Sequence, residues 1–407
     1  MFITRDTMSD LLRFFIIFFL LFACAKKPPI LPHEQAVFHN NQGITYLSQG
    51  DLDRAEFEFK TAIELNQKYA EAQNNLGIIH KLRGEHAKAL RAFARSIEID
   101  EDYAVPHNEI GAVYLAQGKL DDALSQIKTS LKKDPTSADA NYNLGLVWME
   151  KAKKEKRPEY KLEAEKAWKR ATDLNPNLDY VHLRMAEYYR EGGDFERAII
   201  RYRLTLEANP SADTWTRLGT LYLEKGDAFK AQNCFQKAAE LDPDSEEALL
   251  KLGLFFLDQK RFDDAAAAFL AVTDQNPFNE KGWFYLGTVR LAQAQNDPAE
   301  WKNAIAAFAK AKEVNPNYAD ASYNLGWAHL KNGDMLQARE EWQYTLVIDP
   351  GHSQTLYNLA TLDQHQGLKN DAVKHFCQFL ASEKGRFPAE AKIAQQVLGQ
   401  MGSKCPE

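Results

Sequence analysis

Apolar residues recur along most of this chain at spacings of three and four, the interval that puts them on one face of an α-helix. The stripes come in pairs, and the pairs repeat. "NNQGITYLSQGDLDRAEFEFKTAIELN", "NNLGIIHKLRGEHAKALRAFARSIEID" and "HNEIGAVYLAQGKLDDALSQIKTSLKKDP" follow one another in phase. Alignment on a small residue gives the anchors Gly43, Gly77, Gly111, Gly145, Ala186, Gly219, Gly253, Gly287, Gly326 and Ala360. Most steps between anchors are 34 residues and one is 33; the steps of 41 and 39 carry the extra segments "KAKKEKRPEYKLE" and "AQNDPAEWKN". Each unit has an aromatic or leucine three residues after the anchor, then a Gly-Asp-like turn. An alanine, an apolar residue four later and a small or apolar residue three after that make the second stripe. Proline ends it at Asp134-Pro135, Asn175-Pro176, Asp242-Pro243 and Asp349-Pro350, because proline cannot continue a helix. Small residues such as Gly43 and Ala55 let the two helices of a unit approach closely. The pattern predicts an all-α chain of about ten helix-turn-helix units over 36–386. One pair cannot bury its own stripe, so stability has to come from stacking neighbours. The stretch "FPAEAKIAQQVLGQ", within 387–407, predicts a helix that caps the last exposed face.

These residues resemble the tetratricopeptide repeat, whose pattern runs W-x2-L-G-x2-Y…A-x3-F…P. The sixth unit matches it most fully, with Trp215, Leu218, Gly219, Tyr222, Ala231, Phe235, Ala238 and Pro243. The resemblance implies a right-handed α-solenoid with a concave and a convex face, the first helix of every pair lining the concave groove. It also implies that the residue two before each anchor points into that groove. Those residues are Asn41, Asn75, Glu109, Asn143, Arg184, Arg217, Lys251, Tyr285, Asn324 and Asn358. An asparagine amide offers both donors and an acceptor, so the five asparagines are suited to hold the backbone of an extended peptide. Asparagine is also common at this position in the family, so ladder and filler both stay open. Arg184, Arg217 and Lys251 present a cation from three consecutive units. They would receive an acidic peptide or a terminal carboxylate, unless neighbours such as Asp213 and Glu247 neutralise them. Tyr142, Phe284, Tyr323, Trp327 and Tyr357 add aromatic surface nearby, some of it packing between helices.

Ahead of the repeats lies an apolar run of 12 residues, Phe14 to Ala25. Crossing a bilayer takes about 20 apolar residues, so the run has the length of a signal segment and not of a membrane span. Its ending, Leu21-Phe22-Ala23-Cys24, resembles the lipobox of bacterial lipoproteins. That resemblance implies removal of residues 1–23, acylation of Cys24, and sorting to the outer membrane because Ala25 follows. An uncleaved signal anchor or an ordinary cleaved signal is the alternative. Residues 24–35 then form a tether stiffened by Pro28, Pro29 and Pro32.

Removing residues 1–23 takes away two basic and two acidic residues, so the net charge of −7 is unchanged. A mildly acidic chain is a poor nucleic-acid ligand, since affinity there comes from neutralising phosphates. Of the four cysteines, Cys377 and Cys405 both lie near the C-terminus and are candidates for a disulfide. Cys234 reads as a buried apolar filler. The acidic pairs Asp121-Asp122 and Asp263-Asp264 fall at inter-helix turns and read as caps of the second helix. No metalloprotease H-E-x-x-H, nucleophile elbow, phosphate loop or paired Cys/His set is present. The expectation is a protein without enzymatic activity, cofactor, metal or small-molecule substrate. It would be a lipid-anchored scaffold or adaptor facing the periplasm, binding protein partners of envelope assembly or cell-wall machinery. The lipobox and array together are similar to type IV pilus pilotins, which bring a secretin to the outer membrane. They are similar also to lipoprotein adaptors for peptidoglycan hydrolases and proteases. Self-assembly through end repeats is opposed by the capping helix.

Overall fold

The computed structural model describes residues 32–405. The expected signal segment, Cys24 with its acylation and the tether before Pro32 lie outside the described residues. All regular structure among the described residues is α-helical, 21 helices in all. No described helix is long and apolar enough to cross a membrane.

The chain divides into two compact units, one ending at Val181 and one beginning at His182, inside the helix Asp179–Glu191. The first unit stacks four helix pairs: 32–48 with 52–65, 70–82 with 86–99, 105–116 with 120–133, and 138–154 with 159–174. The second unit stacks the pairs from 182–191 with 195–208 through to 353–365 with 369–383, and a single helix, Pro388–Gln400, follows. In the first unit each first helix also touches the first helix of the next pair, and the same holds for four consecutive pairs of the second, Ala212–Glu224 through Ala319–Asn332. First helices therefore line one face of each stack, and second helices form the other.

The anchor residues explain how a pair closes. A Cβ on Gly43 would lie 2.6 Å from Phe59 Cε1, and one on Gly145 would lie 2.2 Å from Trp168 Nε1. Phe59, Phe93, Trp168, Phe235, Phe269, Phe308 and Trp342, each from a second helix, are fully buried against first helices. Burying one such ring contributes about 1.5–3 kcal/mol, and it requires the small residue opposite. The turns are built by a left-handed residue after the first helix, such as Gly50 at φ 78°. Lys260 fills the same place in the seventh unit at φ 56°.

The aspartate just after the glycine caps the second helix. Asp51 accepts from the Arg54 backbone N–H, Asp194 from Arg197 and Asp227 from Lys230. The sequence reading of Asp121-Asp122 and Asp263-Asp264 as caps is corrected here. Lys119 and Arg261 occupy those cap positions, and the four aspartates sit in the first helical turn. There they complement the helix dipole and bind side chains, Asp121 taking Lys151 Nζ at 2.6 Å and Asp264 pairing with Arg261 at 2.7 Å.

At the C-terminal end, Pro388–Gln400 lays Ala391, Ala394 and Leu398 against Leu356, Phe376 and Phe379. A disulfide joins Cys377 in the last paired helix to Cys405 beyond the cap, 28 residues on. Cys234 is a buried free thiol, and burial pushes its pKa up to about 11.

Candidate binding groove

Position two before the anchor does different work from place to place. Asn75 donates its amide to Asn40 Oδ1 at 2.9 Å, and Asn143 donates to Asn108 Oδ1, also at 2.9 Å. In the last pair Asn358 donates to the Tyr323 hydroxyl at 3.3 Å. Each bond runs from one repeat to the repeat before it, so these asparagines fasten neighbouring first helices together. Asn75 is buried; Asn143 and Asn358 are half-buried. Asn40 further donates to Glu71, at 3.2 Å. Asn41, by contrast, is exposed and, like half-buried Asn324, makes no side-chain hydrogen bond among the described residues. The sequence reading missed Asn40 and Asn108, which accept these bonds from one residue earlier in the motif and are almost fully buried. Their signal was visible in "FHNNQG" and "PHNEIG", where an asparagine stands three before the anchor. Glu109, at the groove position of the third repeat, takes an ion pair from Lys81.

In the second unit the basic strip is largely compensated from within. Arg217 binds Asp213 at 2.8 Å and Glu187 at 2.7 Å, and Arg184 reaches the same Glu187 at 3.3 Å. The hydrogen bond to Asp213 raises the Arg217 pKa above its ordinary value, against the opposing effect of burial. Lys251 differs: it has no ion pair among the described residues. It lines a cleft of about 490 Å³ together with Leu250, Leu254 and Tyr285 and with the charged side chains of Glu247, Glu280 and Lys281. Glu246 is held at the edge by Asn276, at 2.9 Å, and Asn279, at 2.5 Å. Tyr285 is stacked on Phe269, ring centres 5.4 Å apart, which fixes one wall.

The groove aromatics are mostly engaged in packing. Phe284 meets Tyr285, Phe308 and Tyr318, while Tyr357 meets Phe376 and Phe379. Tyr142 packs edge-on against Tyr180, and Tyr323 lies 5.0 Å from His352. Burial raises the Tyr323 and Tyr357 pKa values and pushes Tyr318 up to about 12, so all three stay neutral donors near neutral pH. Trp327 keeps a face for Lys331, 4.6 Å above its ring.

Among the described residues no group of three or more His, Cys, Asp or Glu side chains is placed to hold a metal ion. His80 and His375 each face a single carboxylate, Glu85 and Asp363, both at 2.7 Å. Stacked helix pairs with an inner face of polar and aromatic side chains define a helical-repeat binding protein.

Family models agree with the geometry. Models described as tetratricopeptide repeat match residues 34–102, 216–280 and 286–353, and one described as TPR repeat matches 113–151, together well over half of the chain. The chain belongs to the tetratricopeptide-repeat family and is a protein–protein interaction scaffold of that type. It is 24% identical over 206 residues to Superkiller protein 3 of Schizosaccharomyces pombe, covering 50% of this chain and 15% of that protein. It is 25% identical over 146 residues to Anaphase-promoting complex subunit 3 of the same organism, covering 36% and 21%. The chain thus spans about a fifth or less of these two relatives. A solved structure of Pseudomonas aeruginosa pilF is matched with a TM-score of 0.44 at 21% identity, over 56% of this chain and 99% of that one.

Proposed function

We propose that this protein is a non-catalytic scaffold of the cell envelope, tied to the outer membrane through acylated Cys24 and facing the periplasm. Its second unit takes a protein partner in the cleft around Lys251. The observation that carries the binding reading is that cleft: a cation without an ion pair, apolar lining from Leu250 and Leu254, and Tyr285 held by its stack on Phe269. The neighbouring groove cations Arg184 and Arg217 are instead paired with Glu187 and Asp213. The envelope reading is supported by Leu21-Phe22-Ala23-Cys24 and by the Cys377–Cys405 disulfide, a bond that persists in oxidising compartments. The partner presents an acidic or carboxylate-bearing segment with an apolar flank, because Lys251 can accept the charge and Leu250, Leu254 and Tyr285 the flank.

The test is crosslinked affinity purification from envelopes, with Lys251→Glu and Tyr285→Ala beside the unaltered chain. Loss of the same co-purifying protein from both variants is the expected result. An unchanged set of captured proteins would place the contact elsewhere. Mass spectrometry of the N-terminal peptide reads the anchor separately, as acyl chains on Cys24. Two roles fit within this class and the captured partner separates them: a secretin for a pilotin-like assembly factor, a peptidoglycan hydrolase or protease for an adaptor.

A further inference from the structure

We propose that the outer face of the fourth helix pair is a docking surface for an anionic lipid bilayer. Between Lys151 and Arg170 the chain carries nine basic residues and four acidic ones, within a protein of net charge −7. Glu155 pairs with Lys151, Glu159 with Arg157 and Glu163 with Lys166. Lys154, Lys156, Lys161, Lys169 and Arg170 are exposed and have no ion pair among the described residues. The cations are arranged rather than scattered. In the helix Glu159–Leu174, Ala164, Ala167, Trp168 and Ala171 are buried. Leu162, Lys166 and Lys169, spaced four and three apart, share the opposite face, with Arg170 beside them. Leu162 is 54% exposed at the start of that stripe.

The loop that leads into the helix is also held in shape. The Arg157 backbone N–H donates to the Ala152 carbonyl at 3.1 Å, and Lys156 takes the left-handed turn at φ 55°. The Arg157 guanidinium lies 4.6 Å over the Tyr160 ring, which packs 5.0 Å from Trp148. This segment is what lengthens the fourth step of the repeat to 41 residues. On the helix face opposite the buried one, Lys169 and Arg170 flank exposed Leu162, and Lys161, Lys156 and Lys154 continue the positive charge into the turn and the end of the preceding helix. Such an array matches a plane of anionic headgroups above acyl chains. Long lysine stems cover apolar surface while their charges stay among the phosphates, and leucine enters the boundary. The stripe of Leu162, Lys166 and Lys169 belongs to a second helix, while Lys154 ends the first helix of the pair and Lys156 lies in the turn between them.

The inference rests on residues 151–170 and stands whether or not Cys24 is acylated. The test uses the full chain with vesicles of phosphatidylcholine alone and of phosphatidylcholine mixed with phosphatidylglycerol. An acyl anchor partitions into both, and only the difference between them reports the patch. Tighter binding to the anionic vesicles, abolished by high salt, is expected, with slowed amide exchange confined to 153–170. Neutralising Lys154, Lys156, Lys161, Lys169 and Arg170 to Gln should weaken the anionic increment about fivefold per cation, from the ~1 kcal/mol each gains at such a surface. Leu162→Ser, a single exposed change, should weaken it further without altering the circular dichroism. Equal binding to both vesicle types would overturn the proposal. So would protection that appears outside 153–170, or the same patch being shielded by an acidic polypeptide and not by vesicles.

Discussion

Gly145 shows how much one missing methyl group decides. Its Cα lies against the Trp168 indole, whose Nε1 donates to the Tyr142 carbonyl at 3.1 Å, and an added Cβ would occupy the ring's own space. Trp168 is fully buried. Gly145→Ala should therefore destabilise by about 1–3 kcal/mol, the range for overpacking, although alanine is the better helix former. Urea titration followed by tryptophan fluorescence measures it; a neutral or stabilising effect would show that the indole can shift. Cys234 makes the opposite point about reactivity. Burial raises its pKa to about 11, so almost no thiolate exists at neutral pH. A maleimide or aromatic disulfide reagent should leave Cys234 unlabelled in the folded protein and label it on denaturation; prompt labelling without unfolding would contradict the burial.

Between elements, ties from one repeat to the next carry the load. Glu56, in the second helix of the first pair, binds Lys60 at 2.6 Å and reaches Arg83 at the end of the next first helix. The Lys60 bond, with help from Arg83 and against burial, lowers the Glu56 pKa from 4.5 to about 2. A carboxyl depressed on folding gives its full stabilisation above its unfolded value and loses it as the pH falls through its folded one. The advantage of the unaltered chain over Glu56→Gln should be constant above about pH 5 and fade between pH 4.5 and 2. Denaturant midpoints at a series of pH values test this, and a difference independent of pH would remove Glu56 from the account. Such ties are also where sequence reading stopped. Helix pairs, anchors and the terminal helix were legible because periodicity is local and repeated ten times. The asparagine bonds were not, since each joins residues 35 apart and depends on a one-residue offset between Asn40 and Asn41. The misread caps have a local cause. The cap is whichever residue follows the left-handed glycine, and in "QGKLDDAL" that residue is lysine.

At the scale of the whole molecule, a stack in which each pair meets only its neighbours should not lose structure all at once. In the second unit the closing device is the helix Pro388–Gln400 together with the Cys377–Cys405 disulfide. Closing a loop of that length stabilises by about 3–4 kcal/mol in the chain-entropy account. The gain is local: it acts on the cluster of Leu356, Phe376, Phe379 and Leu398, because these are the side chains the cap covers. Reduction, or the Cys377→Ser and Cys405→Ser pair, should first free the terminal helix and then expose Phe376 and Phe379. Loss of order should decay from there toward the Trp342 layer while the repeats around Phe235 and Phe269 keep their protection. Hydrogen exchange on the reduced and oxidised protein distinguishes this from cooperative unfolding. A graded increase confined to residues beyond about Asp334 is the expected pattern under nearest-neighbour coupling. A uniform increase across the second unit would mean that its repeats unfold together, and the disulfide would then set the stability of the binding groove as well as of its end.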